Sequence, residues 1–234
     1  MFFKIVNTKM ARKILITGSK GQIGSVLLGG LRNYILVEAD LPETDVRDYA
    51  TLLKKCKGID AIIHLAWDTN ENHRSKTYNP DNSLMFLNVY KASLELGIKR
   101  VIMASSVHAD EYVANSTARL YVNQNPKPNS PYGAHKIFME KMGYWYSQQG
   151  LEIICIRFGG VCGLNRKPWN SLKIEGLAHA DCLDLIEKCL SIKTVPQNYM
   201  VLYGVSNNKL GVHDFSNPLG WKPILDAAEF YNWG

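Results

Sequence analysis

Apolar positions along the chain fall into short continuous runs separated by longer stretches with helical spacing. Lys13 to Thr17, Tyr34 to Glu38, Asp60 to Ala66, Arg100 to Ser105 and Glu152 to Phe158 read as buried strands. Between them the pattern predicts helices over Gln22 to Arg32, Val46 to Cys56, Pro80 to Leu96 and Pro131 to Gln149. Gly97 and Gly150 supply helix stops, and Pro131 suits a first turn. Continuous apolar strands alternating with helices imply a parallel sheet covered on both faces. The longest loops fall at 67–79 and 109–130. One doubly wound α/β domain is expected through residue 160, with residues 161–234 as a short C-terminal elaboration packed on it.

Composition narrows the class. Of 234 residues, 46% are hydrophobic and 21% charged, which is ordinary globular usage and excludes a disordered or collagen-like chain. No run reaches the ~18 apolar residues of a membrane span. The first ten residues carry Lys4 and Lys9 and lack the apolar stretch of a secretory signal, so a cytoplasmic protein is expected. The five cysteines form no CxxC and have no histidine at zinc-site spacing, which points to reduced core thiols and no metal. The formal net charge is +6. Lys4, Lys9, Arg12, Lys13, Lys20 and Arg32 precede the first acidic residue, Glu38, and the rest of the chain is balanced. The surplus is therefore local to the tail, the first strand and the glycine-rich turn after it. Nucleic-acid binding has no finger, helix-turn-helix or RNA-recognition pattern behind it.

That turn carries the first chemistry. Thr17-Gly18-Ser19-Lys20-Gly21-Gln22-Ile23-Gly24 leaves the first strand and opens the first helix. Glycines there let the backbone turn tightly and approach a pyrophosphate at the positive helix N-terminus. Asp40, at the end of the second strand, can accept hydrogen bonds from ribose hydroxyls and repel a 2′-phosphate, favouring NAD. Before Leu41-Pro42 the same carboxylate also suits a turn cap. Tyr132 and Lys136 stand one helical turn apart, where a cation can stabilise a phenolate. Ser105 and Ser106 end the fourth strand, at the carboxyl edge where such sheets bind ligands.

In order and spacing these residues, with His64-Leu65-Ala66 and Asn82, resemble the extended short-chain dehydrogenase/reductases, the NAD-dependent epimerase/dehydratase family. Ala104 to His108, Arg157 to Gly160 and Gly204 to Asn208 are most similar to the uronate dehydrogenases and archaeal sugar dehydrogenases. The resemblance implies a Rossmann-type domain holding NAD. It gives Gly18, Ser19, Gly21, Gln22, Ile23 and Gly24 to the pyrophosphate loop, Asp40 to the adenosine ribose, and Asp45 and Val46 to the adenine. Leu65, Ala66 and Ser105 would line the cofactor channel, and Asn82 would order the active-site lysine through water. Tyr132 would be the general base, Lys136 would hold the nicotinamide ribose, and Ser106 the substrate hydroxyl. His108 and Arg166 would contact a small sugar, uronic acid or sugar phosphate.

Four features depart from the family pattern. Trp67 replaces a small residue, Gly160 an asparagine, and Val107 the asparagine of uronate dehydrogenases. Only residues 164–177 fill the place where nucleotide-sugar epimerases carry a long insertion that grips the nucleotide. The expected activity is thus NAD-dependent oxidation or reduction at a sugar CH–OH group. The alternatives are UDP-sugar epimerisation and an NAD(H)-binding regulatory protein without turnover. Family members often form homodimers through long helices such as Pro131 to Gln149, where Phe138, Met142, Trp145 and Tyr146 fit an interface or a core equally.

Overall fold

A computed structural model describes residues 11–110, 118–164 and 167–231. Its sheet is built from β1 (Lys13–Thr17), β2 (Ile35–Ala39), β3 (Ala61–His64), β4 (Arg100–Ser106), β5 (Glu152–Phe158) and β6 (Tyr199–Gly204). These six run parallel in the order β2-β1-β3-β4-β5-β6, a Rossmann-type arrangement. The helices are α1 (Gln22–Gly30), α2 (Tyr49–Lys55), α3 (Pro80–Leu96), α4 (Pro131–Ser147), α5 (Leu172–Glu175), α6 (His179–Ser191) and α7 (Ala227–Phe230).

Strand alternation divides the core between the two faces. Ile14, Ile16, Ile63, Ile154 and Ile156 pack beneath α1 and α6, against Val26, Leu27, Leu185 and Cys189. Leu15, Ile62, Val101, Met103 and Ile153 pack on the other face against Leu52, Phe86, Val89, Tyr90 and Met139 of α2, α3 and α4. Both faces being covered explains why the strands read as unbroken apolar runs. All five cysteines are buried, and none forms a disulfide among the described residues.

Caps set the helix boundaries. Asn79 and Ser130 accept hydrogen bonds from first-turn amides, so α3 and α4 start where the prolines suggest. The second helix starts later than its apolar pattern predicts. Asp48 accepts from the amides of Ala50 and Thr51 and opens α2 at Tyr49, leaving Asp45, Val46 and Arg47 in a loop. The sixth strand and α6 lie beyond residue 160, where the apolar pattern assigns no element. Arg100 pins α6 to the sheet by donating to the carbonyls of Cys189, Leu190 and Ile192 at 3.1, 3.2 and 2.6 Å while pairing with buried Glu152. On α4, Met142 and Tyr146 pack on the core, whereas Phe138 and Trp145 are exposed. No helix among the described residues is long and apolar enough to cross a membrane.

Candidate active site

The carboxyl ends of β1 to β5 open into one cleft of about 1300 Å³, lined from Gly18 and Asp40 at one end to Ser106 and Tyr132 at the other. Its glycine loop is determined by space. Gly18 has φ +68°, and a Cβ there would lie 2.7 Å from the Ala66 nitrogen. At Gly24 a Cβ would lie 2.4 Å from the Ser19 carbonyl oxygen. Gly21 caps α1, whose first turn carries no acidic residue to compete with an anion. Gly18→Ala is therefore expected to destabilise the chain by about 1–3 kcal/mol, measured by urea denaturation.

Thr17 Oγ1 meets His64 Nδ1 at 2.7 Å and accepts from the amides of Leu65 and Ala66 at 3.3 and 3.4 Å, which fixes the turn lining the cleft. Burial takes His64 down to about 3, so its imidazole is neutral. Asp40 lines the cleft and also caps the turn: Oδ2 accepts from Lys20 N at 2.7 Å and Oδ1 from Leu41 N at 2.8 Å. Each oxygen keeps a second acceptor site for a ribose hydroxyl. Asp45 is held below the usual carboxylate range by its hydrogen bonds from Arg47, which also reaches Asp81 at 2.8 Å. Val46 lies beside it, 3% exposed. Ser19 is turned beneath the loop, where its hydroxyl donates to Glu38 at 3.4 Å.

At the other end, Ser106 and Tyr132 line the cleft together, with the Ser106 hydroxyl close enough to favour the Tyr132 phenolate. The next turn of α4 brings Lys136 alongside; its Nζ donates to the Ala104 carbonyl at 2.8 Å and sits 3.5 Å from the centre of the Trp67 ring. Burial dominates both groups. It pushes the Tyr132 phenol up to about 12, with Ser106 acting against it, and takes the Lys136 ammonium down to about 7. Ser105 faces away from Ser106 and donates to Glu140 at 2.5 Å. The Asn82 side chain accepts from Asp68 N at 2.7 Å and donates to Glu71 at 3.0 Å, so it braces the loop after β3.

His108 stacks on His73 at 4.2 Å between ring centres, and Arg74 Nε donates to His73 at 3.2 Å. Arg166 lies outside the described residues. Glu175 also lines the cleft; burial pushes its carboxyl up, against a hydrogen bond from Ser171. Sequence reasoning passed over Glu71, His73, Arg74 and Glu175. The first three lie in a loop conspicuous only for its length, and nothing local marks Glu175 as buried.

The cleft accommodates a dinucleotide by shape and chemistry. A glycine cradle stands at a helix N-terminus, where an anion is favoured, and a carboxylate stands at the end of β2. The model of the NAD dependent epimerase/dehydratase family matches residues 14–178. The chain is similar to an NAD-dependent glucose-6-phosphate dehydrogenase from Haloferax volcanii, 24% identical over 94% of this chain and 96% of that protein. It is also similar to a solved single-site mutant of uronate dehydrogenase from Agrobacterium tumefaciens complexed with NAD: 25% identical, TM-score 0.80, covering 95% of this chain and 88% of that one. A UDP-glucose 4-epimerase from Lacticaseibacillus casei is 24% identical over 68% of this chain but only 49% of its own length.

Proposed function

The chain belongs to the NAD dependent epimerase/dehydratase family, and from that membership we propose an NAD-dependent oxidoreductase acting on a CH–OH group of a small sugar, uronic acid or sugar phosphate. The observation that carries this reading is the meeting of Ser106, Tyr132 and Lys136 at one end of a cleft whose other end is the glycine loop. NAD, when bound, supplies the hydride acceptor.

The chain's own residues supply position and proton transfer. Tyr132 Oη takes the proton of the substrate hydroxyl, and Ser106 Oγ hydrogen-bonds the same oxygen. A charged Lys136 favours the phenolate that burial disfavours. Gly18, Gly21, Gln22, Ile23 and Gly24 hold the pyrophosphate, Asp40 the ribose, and Asp45 and Val46 the adenine. Leu65 and Ala66 wall the channel. His108, with His73 stacked on it and Arg74 bonded to that ring, receives the far end of the sugar. The segment up to residue 160 carries both the cofactor loop and Ser106, Tyr132 and Lys136, and Trp169, Ser171 and Glu175 of the C-terminal elaboration complete the lining.

The dehydrogenase relative is matched almost end to end, whereas the epimerase is matched over half its length. That favours a free sugar over a nucleotide-sugar. The test is a screen of purified protein with NAD against aldoses, uronic acids, sugar phosphates and UDP-sugars, following NADH and product together. Net NADH with a free sugar is the expected result. Interconversion of UDP-sugars without net NADH, or tight NAD binding with no turnover, overturns the reading.

Asp40 should set cofactor choice. Asp40→Asn keeps an acceptor oxygen for one of the two amides, Lys20 N or Leu41 N, and removes the charge that repels a 2′-phosphate. The kcat/KM ratio of NAD to NADP is expected to fall roughly tenfold, equivalent to about 1.4 kcal/mol.

A further inference from the structure

The surroundings of Lys136 contain a carboxylate that the chemistry above does not use. Glu71, in the loop between β3 and α3, has a fully buried side chain. It accepts hydrogen bonds from His135 Nδ1 at 2.8 and 3.0 Å, from Asn79 N at 3.0 Å and from Asn82 Nδ2 at 3.0 Å. His135 Nε2 meets Ser83 Oγ at 2.7 Å, which meets the exposed Tyr78 hydroxyl at 2.7 Å. Burial lowers the His135 imidazole despite its carboxylate partner, so the ring donates as a neutral group. Among the described residues, the hydrogen-bond donors to the Glu71 carboxylate are then neutral. A buried carboxylate so placed calls for a positive charge close by.

Lys136 is that charge. It is 4% exposed, and its contacts are the Ala104 carbonyl and the face of Trp67. Trp67 lies between the two residues: its ring packs against Lys136 Nζ and against His135, the carboxylate's partner, and its Nε1 donates to the Glu71 backbone carbonyl at 3.0 Å. The other titratable groups around Lys136 are Tyr132 and Glu140 on α4, His64 on β3 and Cys155 on β5. Glu140 is paired with Arg157 at 2.9 Å. Burial keeps His64 and Cys155 neutral. Among these groups Glu71 is the carboxylate that has no cation of its own.

We propose that Glu71 is a positioning residue for the reaction: across Trp67 its carboxylate is the counter-charge that keeps Lys136 an ammonium, and through His135 it fixes the Tyr132–Lys136 turn of α4. The proposal rests on the oxidoreductase reading only for the use made of Lys136. A negative charge raises the pKa of an acid near it, so its removal lowers Lys136. In Glu71→Gln, the limb of the kcat/KM profile that Lys136 sets is expected to move to lower pH by about one unit. A merely structural role would lower the rate without moving that limb.

The direct measurement needs neither sugar nor NAD. The 13Cε resonance of Lys136, assigned with Lys136→Arg, is titrated in the unliganded protein. Glu71→Gln should lower its midpoint by about one unit. Glu71→Asp, which keeps the charge but withdraws it by one carbon, should move it less in the same direction and serves where the Gln variant does not fold. An unmoved Lys136 midpoint in a folded variant overturns the proposal. Absence of NADH formation from every sugar would instead overturn the oxidoreductase reading and leave the titration result standing.

Discussion

A Tyr132→Phe variant is expected to lose about a thousandfold in kcat for NADH formation while keeping its fold and its affinity for NAD. The substitution removes one oxygen. The ring keeps its edge contact with Trp67, 5.7 Å between centres, so α4 should stay seated. What disappears is the group positioned to take the substrate proton, beside Ser106 in the cleft. A positioned general base contributes about 10²–10⁴ in rate, and a thousandfold corresponds to about 4 kcal/mol of transition-state stabilisation. The loss should fall on kcat and kcat/KM together, because the proton moves only as the reaction proceeds. Steady-state kinetics and NAD titration by calorimetry separate the two effects. Retention of more than a tenth of the rate would remove Tyr132 from the base role.

The parts of this site legible in the sequence are those held by neighbours in the chain. The glycine loop announces itself because φ +68° at Gly18 and the close approach at Gly24 exclude any other residue. Helices α3 and α4 were readable from Pro80 and Pro131, since proline at a first turn is a local signal that tertiary packing had no reason to override. The Val46 pattern failed against Asp48, whose two amide hydrogen bonds stabilise a later start. Glu71 was invisible for a different reason. Its partner His135 is 64 positions away, and only the folded β3–α3 loop brings the two within 2.8 Å. Asn82 likewise takes partners that no local signal foretells, its amide being engaged by Asp68 and Glu71.

The same dependence on distant partners makes Arg157 the residue whose loss should cost the fold most. Its guanidinium lies behind the site on β5 and donates to Asp110 at 2.5 Å and twice to Glu140 at 2.9 Å. Glu140 in turn accepts from Ser105, and Asp110 from Tyr203, each at 2.5 Å. One cation thus ties β5 to α4 and to the turn after β4 that carries His108. Arg157→Met keeps volume but leaves two buried carboxylates without a cation, and breaking such a pair costs about 3–5 kcal/mol. At about 2–4 °C per kcal/mol for a chain of this size, Tm should fall by roughly 10 °C. The deficit should also depend on pH in a definite direction. Orphaned in the core, both carboxyls acquire folded-state pKa values above their unfolded ones, so the native variant binds protons that the unfolded chain does not. Its stability is then greatest at acidic pH and declines as pH rises through those values. The gap between variant and parent should therefore narrow toward acidic pH in calorimetric scans. A constant gap would mean that the cost lies in lost packing of the arginine stem, with the two carboxylates satisfied by other means.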